Sequence, residues 1–582
     1  MASTEPLLSA RPSSEISHDN EDGYARTPKK PAEKRGDWIK IGLGVWASVV
    51  TIGAILAIVV CSTRMPRPTD DPSFPPKGKR NVVFMVSDGM GPASLHLTRS
   101  YRQHVVGLPW GDTLTLDKHL IGSSRTRSSS SLVTDSAAGA TAFSCGLKSY
   151  NGAISVLPDG SPCGTVLEAA KLAGYKTGLV VTTRITDATP ACFSAHVNLR
   201  SEEDRIAEQQ LGDYPLGQMV DLMLGGGRCH FLPNTTEGSC RADDRDLVKE
   251  AKKKGFHYAE SRNDFDKLKK GKGLKLPVLG LFASTDIPYE IDRKDVDYPS
   301  LDEMAEVALN ALEEATKDSE QGFFLMVEGS RIDHAGHGND PAAQVHEVLG
   351  YDKTFKRILE WVEKHDAVLV STSDHETGGL AMARQLHETY PEYLWYPQVL
   401  GNASHSSEYL AARYREYTGT GGKKEDEFLK TELLKKGFGV EDVSEEEIEK
   451  LKAHKAGADW VFADIISRRA QIGWSTHGHS GVDVNIYGSK GTDRLRGNHE
   501  NTEIGEFLAD YLEVDVHAVT KILKEKGVGK QDWMGKGLEE LQFEALAQAE
   551  AEGQPGKVDL GEHFHKDQID TYHGDFRKRC LH

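Results

Sequence analysis

The sequence has few cysteines and no excess of positive charge. These two absences argue against a zinc site built from cysteines and against binding to nucleic acid. Its 582 residues contain seven cysteines, none of which forms a Cys-x-x-Cys pair, so a zinc site built from thiolates is not expected. Lys and Arg number 70 against 88 Asp and Glu, which gives a formal net charge of −18. Proteins that bind nucleic acid need basic patches that neutralise phosphates, so nucleic acid is not expected as a specific partner.

Long apolar runs are also scarce, and the one that could cross a membrane is Ile41–Cys61, which contains no charged residue. About 20 such residues span the hydrocarbon core of a bilayer. A cleavable signal peptide is the alternative, but it would normally begin nearer the N-terminus than this run does. Lys and Arg are more frequent before the run than after it. The positive-inside rule therefore predicts a single-pass type II membrane protein with a cytosolic N-terminus and a lumenal main body.

The composition along the chain predicts several segments around one large domain. They are a disordered cytosolic tail (residues 1–38), a transmembrane signal anchor (39–62), a Pro-rich stalk (63–79), a catalytic domain (80–515) and a C-terminal extension (516–582). Within the catalytic domain, residues 380–473 show a looser pattern of helical sequence with mixed charge. We interpret this stretch as an insertion that covers the active site or mediates dimer contacts; a solvated surface excursion fits the pattern equally well.

Two further features agree with a lumenal or extracellular main body. Asn234 and Asn402 each begin an Asn-x-Ser/Thr sequon, which is a glycosylation acceptor in secreted proteins. Cys229 and Cys240 are close enough in sequence for a local disulfide, and an oxidising compartment would permit that bond.

Short apolar runs rich in β-branched residues predict the strands of a parallel sheet that is buried on both faces. These runs are Asn81–Val86, Lys176–Thr183, Gly322–Val327 and Ala367–Thr372. Helical patterns alternate with the runs, and capping boxes begin two of the helices, at Thr165 and Ser300. The alternation predicts an α/β fold with a doubly wound, mainly parallel sheet and helices on both faces.

Each of these apolar runs is followed by side chains that are suited to binding metal. In open α/β sheets, ligands bind just beyond the carboxyl ends of the strands, so these side chains are expected to meet at one site. Carboxylates and imidazoles gathered in this way indicate a hydrolytic metal centre. The candidates are Asp88 after the first run, Asp187 and Thr189 after the second, Glu328, Asp333 and His337 after the third, and Asp374 and His375 after the fourth.

Ser136 is the candidate nucleophile. It precedes the small, helix-tolerant residues Ala137–Ala142, so it would lie at a helix N-terminus, where backbone N–H groups favour anions. The alternative is that Ser136 or Asp135 only caps the helix. A metal ion can lower the pKa of a hydroxyl group, so this site would not require a histidine as general base.

Several motifs resemble the signatures of the alkaline phosphatase family, and they follow the family's order between Asn81 and Leu512. The motifs are Val86–Gly91 (VSDGMG), Val133–Ala142 (VTDSAAGATA), Asp187–Pro190 (DATP), Val327–Asp333 (VEGSRID), Ser373–His375 (SDH) and Thr476–Gly478 (THG). The resemblance implies the family's fold and a metal-dependent hydrolase of phosphomonoesters, broad in specificity and active at alkaline pH. With the predicted anchor, the chain is most similar to the membrane-anchored fungal vacuolar members, which implies a vacuole membrane and a homodimer.

The family pattern also implies roles for particular residues and a content of two Zn²⁺ and one Mg²⁺ per subunit. Ser136 would become phosphoserine, and Arg200 would clamp the phosphoryl oxygens. The resemblance implies that Asp333, His337 and His477 bind one zinc ion and that Asp88, Asp374 and His375 bind the other. It implies that Asp88, Thr189 and Glu328 bind magnesium. Asp187 would either bind magnesium directly or hold its waters. We prefer His477 to His479 because His477 belongs to the THG motif and precedes Tyr487 by the family's interval.

Two other functions fit parts of the pattern. A phosphodiesterase or sulfatase of the same superfamily usually lacks the combined set of Glu328, Thr189 and Arg200. A membrane-tethered, non-catalytic phosphate-binding protein on the same fold would lack a nucleophile or a metal ligand, and this sequence lacks neither. Phosphomonoester hydrolysis is therefore the preferred prediction.

Overall fold

The computed structural model describes residues 78–390, 392–419, 422–529 and 531–536. The predicted cytosolic tail, the signal anchor and nearly all of the stalk lie outside these residues, as does the chain beyond residue 536. Within the described ranges, no helix combines the length and the apolar character that crossing a membrane requires.

A ten-stranded sheet forms the centre of the fold. The strands, in chain order, are β1 (Asn81–Val86), β2 (Leu120–Arg125), β3 (Lys176–Arg184), β4 (Leu222–Gly226), β5 (His257–Ala259), β6 (Val278–Leu281), β7 (Phe323–Glu328), β8 (Ala367–Thr372), β9 (Glu376–Thr377), β10 (Ala381–Met382), β11 (Ile472–Gly473), β12 (His479–Ser480), β13 (Val484–Gly488) and β14 (Gly497–Glu500). The large sheet has the order β14-β2-β13-β8-β1-β7-β3-β4-β6-β5. Only β13 runs antiparallel to its neighbours in this sheet, and β9–β12 and β10–β11 form two small antiparallel pairs.

Both faces of the central strands of the large sheet are buried, as the uniformly apolar runs predict. Successive side chains of a strand point to opposite faces. In β1, Phe84 belongs to the apolar cluster on one face and Met85 to the cluster on the other, and both are fully buried. Helix Asn501–Leu512 packs into the first cluster and helix Leu301–Thr316 into the second. The predicted α/β fold with a large, mainly parallel sheet is confirmed.

The helices connect the strands and cover the sheet. The α-helices are Pro92–Val105, Ser136–Cys145, Val166–Leu172, Ala188–Ser194, Glu203–Gln210, Leu247–Lys253, Arg262–Lys267, Leu301–Thr316, Arg331–His337, Pro341–Val362, Pro397–Gly401, Ser407–Glu416, Lys423–Glu427, Lys436–Phe438, Glu445–Ala453, Ala458–Ala470, Asn501–Leu512, Val516–Glu525 and Gln531–Met534. Both predicted capping boxes are present, one between Thr165 and Glu168 and one between Ser300 and Glu303. They satisfy backbone N–H groups at the starts of two helices that pack on the sheet.

The described residues between 380 and 473 form a mainly helical subdomain around an apolar core that includes side chains of the main body. Leu433 and Phe462 are buried in this core. Leu97, from helix Pro92–Val105 of the main body, belongs to the same cluster. The stretch is therefore packed against the catalytic domain, which argues against a purely solvated excursion.

The structure contains the predicted local disulfide, Cys229–Cys240, and a second one, Cys145–Cys163, that the spacing did not indicate. Part of the predicted C-terminal extension also packs on the catalytic domain. Leu523 is buried beside Ala169, and the backbone N–H of Asn198 donates a hydrogen bond to the carbonyl of Met534 at 2.8 Å. Described residues beyond the boundary expected at residue 515 therefore belong to the packed body.

Candidate metal centre

The carboxyl ends of β1, β7 and β8 meet at one edge of the large sheet. β1 lies between the other two strands, and its residue Val86 is in register with Glu328 of β7 and Thr372 of β8. Asp88 follows β1 directly, and Asp374 follows β8. Carboxylates from three distant parts of the chain are therefore brought together, as expected for the carboxyl end of a parallel sheet.

The first group of ligand-type atoms surrounds Ser136. One ligand atom from each of Asp88, Asp374 and His375 lies within 4.8 Å of the others. Oγ of Ser136 is 3.0 Å from Nε2 of His375, and this nitrogen is 3.2 Å from Oδ2 of Asp374 and 3.5 Å from Oδ1 of Asp88. All four side chains are buried. A cation held by this group would lie directly beside the serine hydroxyl.

Ser136 is the first residue of helix Ser136–Cys145, and Asp135 is the N-cap. Oδ1 of Asp135 accepts a hydrogen bond from the backbone N–H of Ala138 at 2.9 Å. Because Asp135 caps the helix, the Ser136 hydroxyl can face His375 instead. The helix approaches the turn after β8 so closely that a Cβ atom at Gly139 would lie 2.9 Å from Cβ of Asp374. Glycine at this position allows the serine to reach the metal-binding group.

The second group consists of Asp333, His337 and His479. Nε2 of His337 is 3.3 Å from Oδ2 of Asp333 and 3.2 Å from Nε2 of His479. Asp333 and His337 are four residues apart on helix Arg331–His337, so they lie on one face of it. Two imidazoles and a carboxylate form a donor set that zinc accepts at catalytic sites, where one coordination position stays open.

His479 joins this group because β12 pairs with β9, which places His479 opposite Thr377. Nδ1 of His479 lies 2.7 Å from the carbonyl oxygen of Thr134. A carbonyl can only accept, so Nδ1 carries the proton and Nε2 is free to bind a metal ion beside Asp333. The imidazole also stacks on His375, with ring centroids 3.4 Å apart, so the two groups are adjacent.

His477 is not part of either group, so the expectation that His477 is the zinc ligand is wrong. Its side chain is exposed, its Nδ1 donates to the carbonyl of His337 at 2.7 Å, and its ring stacks on Trp460 with centroids 4.6 Å apart. The physical reason is the β9–β12 pairing, which includes His479 but not His477. Residue spacing cannot distinguish two histidines that are separated by one glycine.

Buried oxygen atoms without a hydrogen-bond partner lie where the residues expected to bind metal come together. Among the described residues they include Oδ1 of Asp88, Oδ2 of Asp374 and Oγ1 of Thr189. Glu328 is buried as well, and its Oε2 accepts a hydrogen bond from the Ser330 hydroxyl at 2.8 Å. Buried polar atoms are costly unless they are paired, and coordination of divalent cations would satisfy these oxygens. The residues present therefore fit bound metal.

The electrostatics of the cluster lead to the same conclusion. Burial raises the pKa of Asp88 well above its usual range, and the neighbouring charges of Asp374 and Asp333 raise it further. Burial also raises the pKa of Glu328 to about 8, opposed by the hydrogen bond from Ser330. Carboxylates that disfavour each other's ionisation in this way require compensating positive charge, and such clusters are typical of functional sites.

Two arginines provide part of that positive charge. Nη2 of Arg200 is 2.9 Å from Oδ1 of Asp187, and its Nη1 is 3.6 Å from Oδ2 of Asp135. Nη2 of Arg184 is 3.3 Å from Oδ2 of Asp187. Both guanidinium groups line a cavity of about 180 Å³ together with Ser136. Guanidinium groups are suited to bidentate contact with the oxygens of a tetrahedral anion, so the cavity can bind such an anion beside the serine.

Sequence reasoning missed Arg184 and Thr377. Arg184 ends β3 and pairs with Glu203 as well as with Asp187, so it fixes the wall of the cavity. The Thr377 hydroxyl donates a hydrogen bond to Oδ1 of Asp333 and lies 3.2 Å from Nδ1 of His375, so it connects the two metal-binding groups. The available signals were weak: Arg184 follows an apolar run, and Thr377 follows the Asp374-His375 pair by two residues.

Comparisons with known proteins agree with this geometry. The family model for alkaline phosphatase matches residues 79–514. The chain is 53% identical over 531 residues to the repressible alkaline phosphatase of Saccharomyces cerevisiae, and the match covers 87% of this chain and 92% of that protein. It is 48% identical over 512 residues to the alkaline phosphatase of Schizosaccharomyces pombe, with 86% and 92% covered.

Solved structures show the same fold. The cold-active alkaline phosphatase of a Shewanella species is 31% identical with a TM-score of 0.62, and the match covers 74% of this chain and 99% of that one. The Thermus thermophilus enzyme is 26% identical with a TM-score of 0.62, covering 80% and 98%. A mutant alkaline phosphatase from the Antarctic bacterium TAB5 was solved with Mg bound in its M3 site; it is 25% identical, with a TM-score of 0.52 and coverage of 75% and 99%.

Proposed function

The chain belongs to the alkaline phosphatase family and is a phosphomonoester hydrolase, and we propose that it works through a phosphoserine formed on Ser136. The observation that carries this proposal is the position of the Ser136 hydroxyl. Its oxygen lies 3.0 Å from Nε2 of His375 and lines the same cavity as Arg200. A hydroxyl between a metal-binding cluster and an anion-binding arginine is arranged for nucleophilic attack on a phosphoryl group.

The donor sets favour two Zn²⁺ and one Mg²⁺ per subunit. Mixed nitrogen and oxygen donors suit zinc, and sets of oxygen alone suit magnesium. One zinc ion would be held by Asp333, His337 and His479, the other by Asp88, Asp374 and His375, and magnesium by Asp88, Thr189 and Glu328. Both carboxylate oxygens of Asp187 already contact Arg184, Arg200 or the backbone of Ala188. Asp187 is therefore better placed to hold the waters of magnesium than to bind the ion directly.

Bound divalent cations supply electrophilic chemistry, because they lower the pKa of a nearby hydroxyl and neutralise charge on phosphoryl oxygens. The chain's own residues supply the nucleophile and bind the phosphoryl oxygens. Oγ of Ser136 releases its proton to solvent and attacks phosphorus in line with the ester oxygen. The bond from phosphorus to that oxygen breaks, and the oxygen takes up a proton from water and leaves as the alcohol. Arg200, held by Asp187, donates hydrogen bonds to the phosphoryl oxygens as their charge spreads. Water then cleaves the phosphoserine and releases phosphate. Since the nucleophile is a deprotonated hydroxyl, the proposal includes an alkaline pH optimum.

The proposal also covers the enzyme's membrane location, its oligomeric state, its glycosylation and its substrates. Ile41–Cys61 would anchor the chain by one helix in the vacuole membrane as a type II protein, with the catalytic domain lumenal and present as a homodimer. Asn234 and Asn402 are exposed, which supports glycosylation at both sequons, and the disulfide Cys229–Cys240 is consistent with an oxidising lumen. The substrates would be small phosphomonoesters of broad identity, because the groups around Ser136 contact the phosphate and leave the alcohol outside.

A substrate panel tests the proposal. Purified enzyme is assayed with 4-nitrophenyl phosphate, bis(4-nitrophenyl) phosphate and 4-nitrophenyl sulfate between pH 5 and pH 10, with and without a chelator. We expect the monoester to be strongly preferred, the rate to rise above neutral pH, and activity to be lost on chelation and restored by Zn²⁺ with Mg²⁺. Preference for the diester or the sulfate would instead support the related phosphodiesterase or sulfatase function. An optimum near pH 5, or full activity in metal-free protein, would refute the proposed mechanism.

Thr377→Val is expected to weaken zinc binding because it removes the hydroxyl that connects Asp333 to His375. Loss of such a supporting hydrogen bond typically lowers metal affinity by about 10- to 100-fold. The measurement is zinc affinity by competition with a chelator, alongside kcat. Thr98→Val is the matched control, since Thr98 is equally buried and its hydroxyl donates to the carbonyl of Ser94 in its own helix. Equal zinc affinity in the two variants would show that Thr377 does not support the ligands.

A further inference from the structure

A second, larger cavity of about 520 Å³ lies beside the metal centre. We call it the tryptophan pocket. Its lining includes two tryptophans, two cationic side chains and the histidine that is excluded from the zinc-binding group: Trp460, Trp474, Arg384, Lys450 and His477. Most of the lining comes from the subdomain of residues 380–473, so this subdomain contributes a concave surface next to the catalytic domain.

Hydrogen bonds link the wall of the pocket to the metal centre. His477, in its wall, donates a hydrogen bond to the carbonyl of His337, a residue of the second metal-binding group. Nδ2 of Asn339, also in the wall, donates to the carbonyl of Thr476 at 2.9 Å. His477 and His479 are two residues apart, which is about 7 Å of extended chain. His337 also lines the cavity beside Ser136, so the contact between His337 and His477 joins the walls of the two cavities.

The aromatic side of the pocket is suited to a planar ring. The Trp460 side chain is 57% exposed although it stacks on His477, so much of its ring is uncovered. Nε1 of Trp474 donates to Oγ of Ser467 at 3.1 Å, which satisfies its polar atom and leaves the ring as an apolar wall. Aromatic rings pack on one another in offset or edge-on contact, so an aromatic ligand would bury this exposed surface.

The other side of the pocket carries excess positive charge. Nη1 of Arg384 is 3.2 Å from Oδ1 of Asp464, and Nζ of Lys450 is 3.5 Å from Oδ2 of the same residue. Nε of Arg468 is also 2.9 Å from Oδ2 of Asp464. Arg384, Lys450 and Asp464 all line the cavity, whereas Arg468 does not. The lining therefore holds two cations and one carboxylate that is already shared with a third cation, and this excess of positive charge favours an anionic group on a ligand.

We propose that the tryptophan pocket binds the leaving group of a class of substrates in which an aromatic ring carries a second anionic group. The inference rests on the proposed function and adds a substrate preference to it. The ring packs on Trp460, and the anion pairs with Arg384 and Lys450. The ring and its anion do not change during the reaction, so we expect these contacts to be equal in the bound substrate and in the transition state; their loss then raises KM and leaves kcat unchanged.

Three phosphomonoesters separate the contributions of ring and charge: 6-carboxy-2-naphthyl phosphate, 2-naphthyl phosphate and glycerol 2-phosphate. For the wild type we expect KM to rise in that order. Trp460→Ala should raise KM for both naphthyl esters by about threefold to tenfold relative to glycerol 2-phosphate. Lys450→Met should raise KM for the carboxylated ester alone. The product 6-hydroxy-2-naphthoate should inhibit the wild type competitively, and more weakly inhibit both variants.

Trp110→Ala is the matched control, because Trp110 is a 90% exposed tryptophan that does not line the pocket. A Trp460→Ala effect that is equal for all three esters would overturn the inference, since it would reflect displacement of His477 and His337 rather than loss of ring binding. Unchanged KM values in Trp460→Ala would overturn it as well. Either result leaves the proposed function standing, provided that the wild type hydrolyses glycerol 2-phosphate; failure to hydrolyse any of the esters would reject the proposed function itself.

Discussion

Ser136→Ala is expected to lower kcat by at least about 10³-fold, because the variant has no oxygen to accept the phosphoryl group. The same substitution should abolish covalent labelling when the enzyme is mixed with a radioactive phosphomonoester and quenched in acid. Folding should survive, since Asp135 and not Ser136 caps the helix. The metal-binding side chains Asp88, Asp374 and His375 are also unchanged, so zinc content should stay at the wild-type level.

The control for this experiment is Ser144→Ala. Ser144 is buried in the same helix as Ser136, but its hydroxyl contacts Ser155 and the helix backbone instead of His375. It should label as strongly as the wild type. Label that remains in Ser136→Ala would remove this serine as the nucleophile. Digestion of the labelled wild type should recover the phosphate on a peptide that contains Ser136.

His479→Ala and His477→Ala should behave very differently. His479→Ala removes a donor from the group with Asp333 and His337. We expect it to lose about one zinc ion per subunit and to reduce kcat/KM by more than about 10²-fold, since loss of even a supporting contact costs up to that much. His477→Ala removes an exposed imidazole whose Nδ1 donates to the carbonyl of His337 and whose ring stacks on Trp460. It should therefore keep its zinc.

Elemental analysis after dialysis, together with kcat/KM at increasing Zn²⁺, distinguishes these expectations. Excess Zn²⁺ should restore part of the activity of His479→Ala, because Asp333 and His337 remain. Thermal unfolding of both variants monitors folding. If His477→Ala lost zinc and His479→Ala kept it, the ligand assignment drawn from the structure would be wrong and the assignment expected from the THG motif would be restored.

The apolar runs were sufficient to predict the centre of the sheet. β1, β3, β7 and β8 each lie within a residue of the predicted bounds, because a strand buried on both faces has to be apolar throughout. A second physical rule predicted that Asp88, Glu328 and Asp374 would meet, since the carboxyl ends of parallel strands share one edge. These conclusions depend on local sequence and on a general property of sheets.

Other parts of the site depend on contacts that no local pattern shows. Arg184 is an ordinary residue after an apolar run until Asp187 and Glu203 approach it in space. Thr377 acquires its role only because the turn after β8 places its hydroxyl beside Asp333. The tryptophan pocket likewise depends on the packing of residues 380–473, whose mixed-charge pattern predicted helices but not a shape.

The two histidines of the Thr476–His479 segment show that local sequence does not identify which of two neighbouring imidazoles binds zinc. The motifs that resemble the alkaline phosphatase family implied that an imidazole from this segment would join Asp333 and His337. Which of the two imidazoles does so follows from the three-dimensional arrangement, in which His479 lies in that group. The antiparallel pairing of β12 with β9 directs His479 toward the metal centre, and His477 lies outside it against Trp460. Strand pairing is a long-range interaction, so its register is not contained in the spacing of neighbouring residues.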